Sequence, residues 1–149
     1  TKVREIYGEE FRKEFVEPTF IYYDTVLRLL REREKIKISG MEHITGGAFT
    51  RLKKLIGRDS DVSIEQNSYL EPQPIFYEIK EKGKLIDEEM YKIFNCGVGF
   101  ILSVPRGSLE DTVAEFISDG FRAASIGKVI QGDGSIRIQS SFSDREIVL

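Results

Sequence analysis

Near its C-terminal end the chain runs through an apolar stretch at 124–130, a Gly132-Asp133-Gly134 turn, and an alternating Ile136-Arg137-Ile138 segment. Two glycines around an aspartate supply the positive φ angles that a tight connection between strands demands. Ile136 and Ile138 are two apart and share one face of a strand, with Arg137 on the other. The reading is a hairpin, and a sheet that holds a hairpin holds at least one antiparallel pair. An all-parallel architecture is thereby excluded.

Upstream, helical and extended patterns interleave. Val3 to Tyr7 reads as a short edge strand. Ile21, Val26, Leu29 and Leu30 approximate one helical face, with Thr19 as N-cap. The charged run Arg31-Glu32-Arg33-Glu34-Lys35 reads as that helix's solvated end. Residues 36–44 begin with strand alternation. From Ala48 the period changes, and Phe49, Leu52, Leu55 and Ile56 form a helical stripe ended by Gly57. A strand at 62–65 follows, then a helix set up by Pro72-Gln73-Pro74 and stopped by Gly83. A helix at 88–94, a strand at 100–104 ended by Pro105, and a helix at 109–118 with Val113, Phe116 and Ile117 inward complete the pattern. The fold class is layered α+β or α/β: a mixed β-sheet covered by helices.

With 149 residues the chain fits a single domain spanning residues 1–149. Twenty-two basic and 25 acidic residues leave a net charge of -3, which argues against nucleic acid as the main partner. A phosphorylated small molecule needs only a local nest of donors and is not excluded. No stretch approaches the roughly 18 apolar residues of a membrane span, and no signal peptide opens the chain. One cysteine, Cys96, permits no internal disulfide and suits the cytoplasm. Beginning at Thr1 rather than Met, the chain reads as part of something longer or as a processed product.

Two segments carry chemistry. In His43-Ile44-Thr45-Gly46-Gly47, a strand runs into small residues that open a helix. Such a turn gathers backbone N–H groups at a helix N-terminus and favours an anion. Thr45 adds a hydroxyl, and His43 is the candidate for proton transfer near neutral pH. No Lys-Ser/Thr pair follows the glycines, so this is not a Walker loop. A plain tight turn with a histidine satisfied by the backbone accounts for the same spacing, and spacing alone does not decide. In Phe94-Asn95-Cys96-Gly97-Val98-Gly99, Asn95, Gly97 and Gly99 could present an amide and bare backbone, or could simply end a helix. Cys96 reads as a small buried hydrophobe. Asp59, Asp61 and Glu65 lack the glycine and ligand order of a calcium loop.

Several blocks stand in a telling order: Glu17-Pro18-Thr19-Phe20-Ile21-Tyr22, His43-Ile44-Thr45-Gly46-Gly47, Pro74-Ile75-Phe76, Glu89-Met90-Tyr91, Phe94-Asn95-Cys96-Gly97-Val98-Gly99 and Ile126-Gly127-Lys128-Val129. Together they resemble the C-terminal domain of aminoimidazole ribonucleotide synthetase, also called phosphoribosylformylglycinamidine cyclo-ligase, over nearly the whole chain. Two positions depart from that family: Ala48 stands where it has a third glycine, and Cys96 where it has methionine. Formylglycinamidine synthase, selenophosphate synthetase, thiamine-monophosphate kinase and hydrogenase-maturation proteins share the fold and are the sister alternatives. A non-catalytic binding or subunit domain is the alternative from another class.

The resemblance implies a reaction of purine biosynthesis. ATP activates the formyl oxygen of formylglycinamidine ribonucleotide, the ring closes, and aminoimidazole ribonucleotide, ADP and phosphate leave. It also implies Mg2+ and a homodimer, with the nucleotide motifs in an N-terminal domain. Within this chain Thr45, Gly46 and Gly47, with Asn95, Gly97 and Gly99, would bind substrate or its phosphate, and no metal ligands are expected.

Overall fold

A computed structural model of the chain describes residues 1–10, 12–32, 36–66 and 68–149. Its helices are α1 (Lys2–Tyr7), α2 (Tyr23–Arg31), α3 (Pro74–Gly83), α4 (Asp87–Ile93) and α5 (Leu109–Ser118). Its strands are β1 (Gly40–His43), β2 (Ser60–Glu65), β3 (Phe100–Ser103), β4 (Gly127–Gln131), β5 (Ile136–Gln139) and β6 (Glu146–Val148). Short 3-10 segments join them, the longest being Ala48–Lys54. None of the described helices is long and apolar enough to cross a membrane.

A mixed four-stranded sheet in the order β4-β2-β5-β6 carries the main core, and β1 and β3 form a separate antiparallel ladder. Ile64, Ile136, Ile138 and Ile147 are buried on the sheet. They belong to one cluster with Phe49 and Leu52 of the 3-10 segment and Met90 and Tyr91 of α4. Phe49 and Tyr91, both without solvent exposure, meet edge to face at 5.2 Å. A second cluster centres on Leu29, Ile36 and Phe116, where α2 packs on α5. Arg28 ties those two helices together through Glu115 and, at 2.6 Å, Asp119. The same Asp119 carboxylate accepts from the Thr25 hydroxyl.

The expected hairpin does not form. β4 and β5 run antiparallel but are not neighbours, because β2 lies between them, antiparallel to β4 and parallel to β5. The Gly132-Asp133-Gly134 turn therefore bridges two strand spacings, roughly 10 Å. The buried Asp61 of β2 makes this possible. Its carboxylate accepts from the N–H groups of Asp133, Gly134 and Ser135 at 2.8, 3.1 and 2.9 Å, and from Arg137 Nε at 2.8 Å. Gly132 is glycine because a Cβ there would fall 2.0 Å from the Asp61 carboxyl carbon. Gly132 thus serves a close approach to a strand far away in sequence, and Gly134, at φ 94°, supplies the left-handed backbone of the turn.

Other expectations shift for local reasons. Val3 to Tyr7 is helical, capped by Thr1, and docks on α3 with the Tyr7 hydroxyl donating to Glu78 at 3.0 Å. Burial and that carboxylate push the Tyr7 hydroxyl up to about 12. Thr19 caps nothing, since α2 starts at Tyr23 with no side-chain cap. Residues 33–35 of the charged run lie outside the described residues. The strand expected over 36–44 is confined to β1. The stripe from Ala48 is a 3-10 segment, whose three-residue turn aligns Phe49 and Leu52 better than an α-helix would. Gly83 closes α3, but the left-handed cap falls on Lys84 at φ 50°. Phe116 faces inward as expected, but Ile117 is 49% exposed, and Thr112, one α-helical turn before Phe116, is buried instead. The Pro74 start of α3, the extent of α5, and the mixed sheet with its helical cover agree with the expectations from sequence.

Two measurements follow from these packing arrangements. The Ser135 N–H, Arg137 and the Asp133 N–H hold the Asp61 carboxyl well below the usual carboxylate range. Its folded pKa is depressed, so its stabilisation is complete above about pH 4 and is lost as pH falls further. Asp61→Asn should lower the melting temperature at pH 7 by about 5 °C or more and flatten the acid limb of the stability profile below about pH 4. An unchanged acid limb would contradict the role given to Asp61. Cys96 is fully buried, and burial pushes its thiol up. A thiol reagent should leave the native chain untouched and label one equivalent after denaturation.

Candidate functional site

The two sequence blocks meet at one end of the β1–β3 ladder. His43 pairs with Phe100, and one residue further the Ile44 N–H donates to the Gly99 carbonyl at 2.9 Å. Ile44 is buried, which anchors the turn, whereas His43, Thr45, Gly46 and Gly47 are exposed. Sequence neighbourhood alone would leave the blocks fifty residues apart. Strand pairing brings them together.

Within the first turn, most amides are already spent. Thr45 N–H donates to the His43 carbonyl at 3.0 Å, Ala48 N–H to Thr45 at 2.8 Å, and Thr50 N–H to Gly47 at 3.1 Å. Gly46 and Gly47 keep N–H groups without a protein acceptor among the described hydrogen bonds. The expected anion nest thus narrows to the two amides of Gly46 and Gly47, next in sequence to Thr45. Gly47 has φ 85°, which favours glycine, and Ala48 follows at φ 42° with its methyl fully buried. The position where the resembling family has glycine therefore does hold left-handed backbone, at a cost to alanine of roughly 1 kcal/mol. Arg51, on the 3-10 segment, pairs with Glu42 and reaches the Gly46 carbonyl at 3.4 Å. Its place four residues after Gly47 was the only hint of this role in the sequence.

The second turn is held by its own asparagine. Asn95 Oδ1 accepts from Gly97 N–H at 3.2 Å, and its carbonyl from Val98 N–H at 2.9 Å, as in an Asx turn. Asn95 therefore spends the oxygen of the amide it was expected to present on shaping the loop. Cys96 and Gly97 are both left-handed, at φ 46° and 89°. Gly99 has a different reason to be glycine: a Cβ there would lie 2.2 Å from the Tyr22 hydroxyl.

Tyr22 closes the Glu17 to Tyr22 block, and the sequence assigned it no role at the site. Its ring lies 5.2 Å from Phe100, 5.2 Å from Phe121 and 6.0 Å from His43, meeting the histidine edge to face. Burial pushes the Tyr22 hydroxyl up, so it stays protonated near neutral pH. The His43 ring has no partner among the described hydrogen bonds, so it is positioned by these aromatic contacts.

Behind the ladder lies a cavity of about 510 Å³ between β3, α5 and the β2–β4 pair. Gly97 and Gly99 line it, as do Phe20 and Tyr22. His43, Thr45, Gly46, Gly47 and Asn95 are not part of that wall. The expected residues thus divide between an exposed anion turn and an apolar cavity, with Tyr22 touching both.

Similarity to known proteins agrees with this arrangement. Residues 3–139 match the family described as AIR synthase related protein, C-terminal domain. The chain is 41% identical over 123 residues to a phosphoribosylformylglycinamidine cyclo-ligase of Bacillus pumilus (strain SAFR-032), covering 82% of this chain and 34% of that protein. It is 39% identical over 130 residues to the protein of the same name from Methanopyrus kandleri, covering 87% of this chain and 36% of the relative. The chain spans about a third of the length of these relatives. By motif order, mixed-sheet architecture and the extent of these matches, the chain belongs to the AIR synthase related family and corresponds to its C-terminal domain.

Proposed function

We propose that the chain is a single C-terminal, substrate-side domain of an ATP-dependent cyclo-ligase of purine biosynthesis, which converts formylglycinamidine ribonucleotide to aminoimidazole ribonucleotide. The observation that carries this reading is the pair of unspent, exposed amides at Gly46 and Gly47, held against the Asn95–Gly99 turn by the Ile44 to Gly99 hydrogen bond. Two N–H donors and a hydroxyl, with the Arg51 guanidinium behind them, suit the phosphate of a phosphorylated ribosyl substrate. His43, at the same ladder end and exposed, is the group placed to orient substrate or carry a proton.

ATP supplies the activation in this scheme: its terminal phosphoryl group goes to the formyl oxygen, nitrogen attack closes the ring, and phosphate departs. The residues of this chain bind and orient. Among the described residues no group of three His, Cys, Asp or Glu side chains converges on one point. Glu42, the carboxylate beside the turn, is engaged by Arg51. These residues do not fit Mg2+. Its ligands and the nucleotide pocket belong, in this reading, to a preceding domain, and the working assembly is a homodimer in the cytoplasm.

The division of labour makes two outcomes expected. The purified 149-residue chain, given formylglycinamidine ribonucleotide, ATP and Mg2+, should produce no aminoimidazole ribonucleotide; measurable ring closure would overturn the half-site reading. Titration of the labelled chain with inorganic phosphate should move the Gly46 and Gly47 amide resonances first, and Gly46→Pro, which removes one donor, should weaken that binding about tenfold. Shifts confined to other loops would place the anion elsewhere.

A further inference from the structure

One long wall of the cavity is the edge of β3, and the opposite wall is the irregular segment 120–126 with the first residues of β4. Successive side chains of a strand point to opposite faces. Yet the cavity is lined by every residue of β3, within an unbroken run from 97 to 104. A space met by such an unbroken strand meets its backbone sideways.

Ladder register identifies the groups that lie there. The Ile44 to Gly99 bond makes Ile101 and Ser103 the hydrogen-bonded positions of β3 against β1. The N–H and C=O of Phe100 and Leu102 therefore point away from β1, into the slot. On the far side, Glu65 N–H donates to Ile126, which sets Lys128 and Ile130 against β2 and turns the N–H and C=O of Gly127 outward. Among the described residues β3 has no second partner strand, and β4, of which Gly127 reaches the cavity edge-on, is the end strand of its sheet. The unpaired edge of β3 faces the slot along its length, and an unpaired edge is a template for a further strand.

The remaining walls specify what kind of strand. Val62 and Ile64 line the sheet side, and Val113 and Phe116 the α5 side, so alternate side chains entering from the slot should be apolar. Phe20 and Tyr22 cover one end, with Phe20 6.0 Å from Phe121. Three charged residues border the slot: Glu71, Arg122 and Lys128. Arg122 lies over the Tyr69 ring at 4.8 Å, and Lys128 is exposed with no carboxylate partner among the described ion pairs. The balance is one positive charge, complementary to an acidic residue on the occupant.

From this geometry we infer that the slot between β3 and β4 is a strand-binding site for an extended peptide segment of a partner protein, about five residues long, alternately apolar and carrying an acidic end. The peptide backbone pairs with Phe100 and Leu102, its apolar side chains meet Val62, Ile64, Val113 and Phe116, and its carboxylate meets Lys128. This site is separate from the anion turn, and its test does not depend on ring-closing activity.

A fluorescein-labelled peptide Asp-Val-Ser-Val-Ser-Val, followed by anisotropy against the full chain, is the probe. Saturable one-to-one binding is expected. N-methylation of alternate peptide amides, which leaves the protein untouched, should weaken it by about tenfold or more. Lys128→Glu, an exposed position, should weaken it by about threefold. Hydrogen exchange should show the Phe100 and Leu102 amides unprotected in the free chain and protected with peptide. Absence of saturable binding, equal affinity of the N-methylated peptide or of the Lys128→Glu chain, or protection of both amides without peptide would each overturn the inference.

Discussion

Asp61 is the charge around which the main sheet is assembled. A carboxylate buried to 1% exposure is tolerable only when its lone pairs are filled, and here three consecutive backbone amides and a guanidinium fill them. In return the carboxylate gives the 133–135 backbone a partner that an ordinary hairpin turn would not offer. β2 can then lie between β4 and β5, and Val62 and Ile64 come to line the cavity from below. Remove that acceptor and the 133–135 amides lose the partner that holds the turn against β2.

The site depends on a second, smaller device. Among the described residues β1 and β3 have only each other as partners, so their ladder can carry its end turns clear of the sheet. The turn at 45–47 stays in solvent with two amides unspent, while Ile44 and Ala48 on either side are buried in the main cluster. Exposed donors between buried anchors are what a preorganised anion site requires, because the loop need not be ordered by the ligand. Tyr22 links this end to the second cluster, and through α2 and Arg28 to α5. The 45–47 turn, the cavity and the helix pair are therefore mechanically joined by one aromatic ring.

Much of this was legible from residues alone. α5 came from its periodicity, α3 from Pro74, and the pairing of a strand with a small-residue turn from the His43 to Gly47 spelling. Gly47 was legible as a residue needing freedom, and Gly99 was not. Its reason is the hydroxyl of a tyrosine 77 positions earlier, and nothing local announces it. Asn95 shows the converse: the residue was found, but its carbonyl oxygen is consumed in holding the turn, which no spacing rule distinguishes from presenting it to a ligand. Arg51 and Tyr22 were missed because each acts through a contact across elements.

Period, turn chemistry and motif order determined the class of fold, most of the elements, and the family. Those properties arise from interactions within a few residues, or from a spelling preserved along the chain, and both are present before any folding. Tertiary structure decided strand order, which amides remain free, and which glycines are spacers rather than turns. The reason is range. The Gly132-Asp133-Gly134 turn reads as a hairpin to anything that weighs neighbours alone, and it becomes a bridge over β2 because a carboxylate seventy residues away is a better acceptor for its amides than the opposite strand.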